Sequence, residues 1–380
     1  MRPRVVFVDH VARLSGGEIA LLRVLPALAE HCDVHVILAE DGPLVARLQE
    51  RGVAVEVLAM PARLRDVRRD ATRLSRIDPR ALAALPAYVM RLRRRLRSLD
   101  ADLVQTNSLK AALYGGLAGH LARIPVIWHI RDRIADDYLP RATVLLVRGA
   151  ARVVPIAIVA NSAATAATLP SRRPLRVIAD SAEPPPDRGR RQSGPFTVGV
   201  LGRITPWKGQ HVFLEAFAAA FAGSDVRGHV IGSAMFGEES QLGELQRQAQ
   251  ALGIAEQIEF RGFREDTWAE LAQLDILVHC STVAEPFGQV VLEGMAAGVA
   301  VIAARAGGPA ELITAGKDGL LTTPGDASAL ARALTQLHDD PKLRARLAAA
   351  ARERAAAFTP QRAAAALGAL YGELLARNGS

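Results

Sequence analysis

Short runs rich in β-branched residues alternate with longer stretches of helical periodicity along the chain. In the first half these runs are RVVFVD, DVHVILAE, VAVEVLAM, ADLVQTN, IPVIWHI and RVVPIAIVANS. Such runs predict strands of a parallel sheet that is buried on both faces, because the intervening helices cover it. The first of these helices is predicted over IALLRVLPALAE.

A second series of the same kind follows a break in the pattern. Residues 182–195, AEPPPDRGRRQSGP, combine proline, glycine and charge and predict an interdomain linker. FTVGVLG, VRGHVIGS, IEFRGF, DILVHCS and VAVIAA then predict strands, and an alanine-rich helix, QRAAAALGALYGELLAR, follows them. We therefore predict an α/β protein of two doubly wound Rossmann-like domains, 1–181 and 196–360, which face each other across a cleft.

Composition agrees with two domains and narrows the class of protein. The chain has 380 residues, half of them hydrophobic, which suffices for two large cores. Cys32 and Cys280 lie in or beside strand-like runs, as expected of buried reduced thiols. MRPRVVFVDH is too weakly apolar for a signal peptide, and no apolar run reaches about 18 residues. We expect a cytoplasmic protein, and we expect no metal site because the histidines are scattered.

Positive charge is concentrated in one stretch. Of a net charge of +8, residues 62–99 carry twelve arginines against three aspartates. Two interpretations stay open for this stretch: a solvated helix face in a chain that uses arginine throughout, or a surface for an anionic acceptor or the inner face of a membrane. Nucleic acid is disfavoured as a partner, because no aromatic residues interleave with the arginines for base stacking.

The stretch AEPFGQVVLEGMAAG, residues 284–298, carries the first candidate chemistry. Glu285 lies in a loop after a predicted strand, and Glu293 lies two turns inside the next helix. The free N–H groups of that helix terminus, with Gly288 beside them, favour an anion. Glu293 could accept hydrogen bonds from the diol of a sugar or ribose. The alternative is that Glu285 only complements the helix dipole and that Glu293 is a surface residue.

A second candidate element is the basic turn in VLGRITPWKGQ. Arg203 follows a strand that ends at Gly202, and Lys208 precedes a helix. A forked guanidinium and a compact ammonium at a strand-to-helix turn favour a diphosphate. The alternative is two exposed basic residues in a loop.

The first half offers weaker candidates at its predicted strand ends. Gly16 and Gly17, in LSGGE, suit close approach of the backbone to a substrate, although a tight turn explains them equally well. His129, in VIWHIRD, ends a predicted strand, where histidine is commonly a structural residue.

GRITPWKG, EPFGQVVLEGMAAG and GGPAELI, in this order and spacing, resemble the donor half of retaining glycosyltransferases of family 4, the group 1 glycosyl transferases with the GT-B fold. The likeness continues through SGGE and IPVIWHIRD and covers nearly the whole chain. The resemblance implies an acceptor-binding domain over 1–181, joined by a C-terminal helix over 361–380 that crosses back to it. It also implies a donor-binding domain over 196–360.

The resemblance implies a role for each site residue. Arg203 and Lys208 would hold the donor diphosphate, Glu285 would contact the donor sugar, and Glu293 would contact the ribose. His129 would reach the donor sugar near the reacting carbon. The other donor-binding positions would be Gly16, Gly17, Gly202, Arg264, Phe287, Gly288 and Gln289. Gln289 departs from the family, which usually has a small or branched apolar residue there.

The expected function is the transfer of a hexosyl unit, with retention, from a nucleotide sugar to an acceptor hydroxyl. We expect UDP rather than GDP as the nucleotide, no cofactor and no metal requirement. The acceptor class stays open between a sugar, a lipid-linked glycan and a small natural product. The alternatives are a phosphorylase or nucleotide-sugar epimerase on the same fold, or a non-catalytic protein that binds membrane surfaces.

Overall fold

The computed structural model describes residues 2–62, 79–186, 194–234, 238 and 240–378. The chain divides into two compact units, one formed by residues 1–181 together with 360–380 and the other by residues 182–359. Within the described ranges, no helix is both long and apolar enough to cross a bilayer.

Seven strands form the sheet of the first unit: β1 (Arg4–Asp9), β2 (Asp33–Leu38), β3 (Ala54–Val57), β4 (Leu103–Thr106), β5 (Val126–Ile130), β6 (Ala157–Ala160) and β7 (Leu175–Val177). Neighbouring strands are parallel, in the order β3-β2-β1-β4-β5-β6-β7. From β1, the chain adds strands first toward one edge of the sheet and then, starting with β4, toward the other edge. Ligands of such sheets bind beyond the carboxyl ends of the strands at this switch point, here between β1 and β4. The helices are α1 (Gly16–Leu28), α2 (Pro43–Glu50), α3 (Pro79–Ser98), α4 (Leu109–Ala122), α5 (Arg141–Ala150) and α6 (Ala163–Thr168).

Six parallel strands form the sheet of the second unit: β8 (Thr197–Leu201), β9 (Arg227–Ile231), β10 (Ile258–Gly262), β11 (Ile276–His279), β12 (Ala300–Ala304) and β13 (Leu320–Thr322). Their order is β10-β9-β8-β11-β12-β13, so the reversal falls between β8 and β11. The helices are α7 (Gln210–Phe221), α8 (Ser240–Ala251), α9 (Thr267–Leu271), α10 (Gln289–Ala296), α11 (Pro309–Leu312), α12 (Ala327–Asp339) and α13 (Pro341–Ala355). A last helix, α14 (Pro360–Asn378), belongs to the first unit.

Alternation along β1 separates the two hydrophobic layers of the first unit. Val5 and Phe7 face a layer that contains Leu25 of α1 and Leu370 of α14, whereas Val6 faces the other layer. Successive side chains of a strand point to opposite faces, so one strand supplies both cores. Helix α14 packs on α1 and completes the first layer.

The predicted fold class, two Rossmann-like α/β domains, is confirmed. The sequence pattern missed β7 and β13, which are edge strands of three residues and are too short for a periodicity to stand out. Helix α1 begins at Gly16, three residues before the predicted start. Residues 187–193 of the predicted linker and 63–78 of the basic stretch lie outside the described residues. Residues 79–98 of the basic stretch form α3.

Candidate active site

The carboxylate of Glu285 is the centre of a buried hydrogen-bonded cluster in the second unit. Its Oε1 accepts a hydrogen bond from Lys208 Nζ at 2.6 Å and lies 2.8 Å from His279 Nε2. The hydroxyl of Ser281 donates to the same oxygen. The amide N–H of Ala304 lies 3.4 Å from His279 Nδ1, which places the ring proton on Nε2, toward the carboxylate. Glu285 therefore has three side-chain donors and does more than complement a helix dipole.

This environment keeps Glu285 ionised although it is buried. Glu285 is only 6% exposed, and burial by itself would raise its pKa. The charge of Lys208 and the hydrogen bond from His279 outweigh burial and hold the pKa of Glu285 well below its usual range. The cluster thus presents a fixed carboxylate rather than a proton donor.

Two glycine-containing loops, each leading into a helix, meet at the backbone of Glu285. Gly288, with φ of 92°, is the N-cap of α10, and this left-handed conformation favours glycine. The backbone N–H of Gly308, at the start of α11, donates to the carbonyl of Glu285 at 2.9 Å. The two loops therefore pair through their backbones at the carboxyl ends of β11 and β12.

The basic turn packs directly against the loop that carries Glu285. The N–H of Thr282 donates to the carbonyl of Trp207 at 2.8 Å. Gly209, with φ of 74°, lies so close to the carbonyl of Cys280 that a Cβ there would overlap it. Lys208 Nζ lies 4.8 Å from the centre of the Trp207 ring, and the Arg203 guanidinium lies 5.8 Å from it. Both predicted cations therefore border one indole, and Lys208 also contacts Glu285.

The remaining predicted residues of the second unit occupy different surroundings. Gly202 directly follows β8, and its N–H donates to the carbonyl at the end of β9 at 2.9 Å. Phe287 is buried between the two helix termini, and Gln289 is the first residue of α10. Glu293 is 5% exposed, so the alternative that it is a surface residue is wrong. Arg264 is exposed and lies 3.4 Å from the buried carboxylate of Glu270.

In the first unit, strand ends gather a second polar cluster. Asn107, which follows β4, donates to Asp9 at 2.6 Å and to the carbonyl of Gly17 at 3.3 Å. Arg131, which follows β5, donates to Asn107 at 3.1 Å and pairs with Asp180. These hydrogen bonds connect the glycine pair at the start of α1 to residues at the carboxyl ends of β1, β4 and β5. The parallel topology brings these ends to the same edge of the sheet.

His129 and Glu18 belong to the same cluster and are both buried. His129 Nδ1 lies 3.1 Å from Gln105 Nε2, and burial together with the charge of Arg131 lowers the pKa of His129 well below its usual range. Glu18 accepts a hydrogen bond from Ser15. Burial, reinforced by the charge of Asp9, raises the pKa of Glu18 to about 8. Neutral imidazole and protonated carboxyl therefore coexist at this edge near pH 7.

Sequence reasoning did not single out His279, Ser281 or Gln105 as site residues. Each is a polar residue within or just after an apolar strand, and that was the available signal. Polar side chains in a buried strand need partners, but one of the two partners of Gln105, Tyr371, lies 266 residues away on α14. Among the described residues, no group of three or more histidine, cysteine or acidic side chains is placed to hold a metal ion.

Both halves of the chain match families of known proteins. The family model for glycosyl transferases group 1 matches residues 185–354, and the model for the glycosyl transferase 4-like domain matches residues 15–179. The chain is a family 4 glycosyltransferase. The resemblance drawn from the motifs is confirmed, and the alternative of a non-catalytic membrane-binding protein is wrong.

Proteins similar to this glycosyltransferase match different shares of its length. The crystal structure of Anabaena Alr3699/HepE in complex with UDP and glucose is 26% identical, with a TM-score of 0.85, and the match covers 98% of this chain and 100% of that chain. Lipopolysaccharide core biosynthesis glycosyltransferase LpsD of Rhizobium meliloti is 27% identical, over 82% of this chain and 87% of LpsD. LpsE of the same organism is 34% identical, but over 39% of this chain and 41% of LpsE.

Proposed function

We propose that this glycosyltransferase moves a hexosyl unit, with retention of configuration, from a nucleotide sugar to an acceptor hydroxyl, with UDP preferred over GDP. The observation that carries the proposal is the ionised carboxylate of Glu285, which Lys208, His279 and Ser281 hold in the loop that leads into α10. A fixed carboxylate suits sugar hydroxyls, and an adjoining helix terminus suits phosphate. The complex of Anabaena HepE with UDP and glucose supports this assignment.

Arg203 and Lys208 would receive the diphosphate. The side chain of Arg203 is 31% exposed, and that of Lys208 is 20% exposed. Both cations border Trp207, so a pyrophosphoryl group beside that indole could contact the fork of one and the ammonium of the other. Lys208 would then bridge the leaving group and Glu285, and Glu293 would bind the ribose. Gly202, Phe287, Gly288 and Gln289 would line the same pocket, with Arg264 against the base.

In this mechanism the bond between the anomeric carbon and the phosphate oxygen breaks while a bond to the acceptor oxygen forms on the same face. The acceptor proton moves to the departing phosphate. Negative charge accumulates on the nucleotide diphosphate, where Arg203, Lys208 and the helix terminus stabilise it. No carboxylate nucleophile and no metal take part. Transfer in the presence of EDTA, with an α-anomer produced from an α-donor, would be the expected outcome.

The first unit would bind the acceptor, and Gly16, Gly17 and His129 would border the donor. We place the protein in the cytoplasm, peripherally at the inner face of the membrane. Arg91, Arg94 and Arg97 of α3 are exposed, which supports a contact between the basic stretch 62–99 and anionic lipid. Sedimentation with vesicles that contain anionic phospholipid, but not with neutral vesicles, is the expected result.

The decisive experiment measures nucleotide release from a panel of UDP- and GDP-sugars with candidate acceptors. Arg203→Ala and Lys208→Ala should each reduce kcat about 100-fold or more, because each removes a cation from the leaving group. Lys317→Ala is the matched control, since Lys317 is an exposed residue of the same unit. Normal transfer by both site variants would refute the diphosphate assignment. Disaccharide cleavage that depends on inorganic phosphate, without a nucleotide, would instead indicate a phosphorylase.

A further inference from the structure

Three buried polar side chains form a row that crosses the first unit from its last helix to the strand end at His129. Tyr371 on α14, Gln105 on β4 and His129 on β5 are each at most 3% exposed. The Tyr371 hydroxyl lies 2.7 Å from Gln105 Oε1, and Gln105 Nε2 lies 3.1 Å from His129 Nδ1. Buried polar atoms of this kind need partners, so each hydrogen bond constrains the next.

The donors and acceptors along the row are fixed by Tyr371 at one end and by Arg131 at the other. Burial raises the pKa of Tyr371 well above its usual range, so the phenol keeps its proton and donates it to Gln105 Oε1. The amide nitrogen of Gln105 then faces His129 Nδ1 as a donor. Arg131, with Nη2 at 3.4 Å from the same Nδ1, is a donor only. With two donors facing it, Nδ1 must carry the lone pair, and the proton of the neutral ring lies on Nε2.

The proton on Nε2 has no acceptor among the described residues. His129 Nε2 is buried and has no hydrogen-bond partner there. An unsatisfied buried donor is costly, so its presence needs an explanation, such as a catalytic role or a bound group that supplies the missing acceptor. His129 lies at the carboxyl end of β5, which is the edge of the sheet where ligands of this fold bind.

We propose that Tyr371 and Gln105 lock His129 in the Nε2–H tautomer, so that the ring is a fixed hydrogen-bond donor to an oxygen of the bound nucleotide sugar. Tyr371 and Gln105 are positioning residues that act through His129. The identity of the ligand rests on the proposed function, whereas the tautomer does not. In this role His129 neither takes nor gives a proton during transfer, consistent with a neutral ring.

Nitrogen NMR of the full-length chain tests the tautomer without any substrate. The protein is labelled with ¹⁵N-histidine, and the signals of His129 among the nine histidines are assigned by their loss in His129→Gln. In the wild type we expect Nε2 to give a protonated, pyrrole-type shift and Nδ1 an unprotonated, pyridine-type shift. Gln105→Glu replaces the donor amide with an acceptor of the same shape, so the tautomer should invert to Nδ1–H.

Tyr371→Phe tests the far end of the row. Loss of the hydroxyl frees the Gln105 amide to rotate, so the His129 shifts should move toward an average of the two tautomers. Tyr114→Phe is the matched control, because it removes another buried phenol hydroxyl from the same unit outside the row. It should leave the His129 shifts unchanged. A wild-type Nδ1–H tautomer, or unchanged shifts in both Gln105→Glu and Tyr371→Phe, overturns the proposal.

Kinetics with the best donor test the second part of the proposal. Gln105→Glu should lower kcat about tenfold and change KM for the acceptor little, since it turns the Nε2–H donor away from the donor sugar. Gln105→Asn, which keeps an amide, should restore part of the loss. An inverted tautomer with normal kcat would overturn the donor role. Absence of transfer by the wild type with any nucleotide sugar would refute the proposed function, while the NMR result would still decide the tautomer.

Discussion

Replacement of Lys208 by methionine would remove the charge that holds Glu285 ionised while keeping most of the side-chain volume. At 2.6 Å and an effective dielectric constant of about 20, the attraction between the two groups is about 6 kcal/mol before desolvation is counted. Removal of one partner from a buried pair typically costs about 3–5 kcal/mol, because the other charge stays buried. His279 and Ser281 still donate to Glu285, and the Lys208 side chain is 20% exposed. We therefore expect a loss of about 3 kcal/mol in the free energy of unfolding.

Urea unfolding of Lys208→Met, Glu285→Gln and the double variant measures this coupling. The double variant should be more stable than Lys208→Met, because it leaves no buried carboxylate without a cation. Lys317→Met controls for the loss of an exposed lysine in the same unit. A stability loss below about 1 kcal/mol for Lys208→Met, or strict additivity in the double variant, would refute a strong buried pair.

The pH dependence provides an independent check of the same pair. Because the pKa of Glu285 is lowered in the folded state, its contribution to stability is present above the ordinary carboxyl value of 4.5 and is lost as the pH falls toward the folded pKa. The difference between wild type and Lys208→Met should therefore be largest near pH 7 and shrink below about pH 4. A difference that stays constant from pH 7 to pH 3 would contradict this account.

Three further outcomes are expected. Burial raises the pKa of Glu18 from 4.5 to about 8, so the free energy of unfolding falls as the pH rises between these values. Glu18→Gln should make the free energy of unfolding depend less on pH, as measured by urea midpoints at pH 5 and 8. Gly209→Ala should destabilise the second unit more than Gly253→Ala in thermal unfolding, because both have a positive φ but only the first meets a carbonyl. Asp326→Ala should cost about 1 kcal/mol, since Asp326 caps α12 through the N–H of Ala329. Equal losses of thermal stability in Gly209→Ala and Gly253→Ala would contradict the close approach of Gly209 to a carbonyl. An unchanged pH dependence of stability in Glu18→Gln would contradict the raised pKa of Glu18.

Most of the strands that could be predicted from the sequence are buried on both faces, although the edge strands β3 and β10 were predicted as well. RVVFVD has an apolar centre and VAVIAA is apolar throughout, and the structure places β1 and β12 there with every or nearly every residue buried. The edge strands β7 and β13 carry three residues each, and their partly exposed side chains break the apolar signal. Strand order was beyond the sequence pattern, because it depends on packing between segments far apart in the chain.

The site could be predicted as a set of motifs but not as a set of contacts. Glu285 and Lys208 were both visible from their loops, yet their ion pair joins positions 77 residues apart. The sequence pattern does not indicate that His279 and Ser281 point toward Glu285. Strand residues alternate between the two faces of the sheet, and the pattern does not fix which face each side chain takes. Glu18 is similar: its motif was visible, but its raised pKa comes from burial and from Asp9.

Helix α14 has a consequence for biosynthesis. Residues 1–181 emerge from the ribosome long before Leu367, Leu370 and Leu374 are synthesised. These three leucines fill one apolar layer of the first unit. Until then, the face of β1 and α1 that this helix covers stays open to water or to a chaperone. The second unit can fold first, although it is encoded later, because its own segment is continuous. A truncated chain of residues 1–359, released from the ribosome, should therefore show protection of 182–359 from protease while 1–181 remains sensitive.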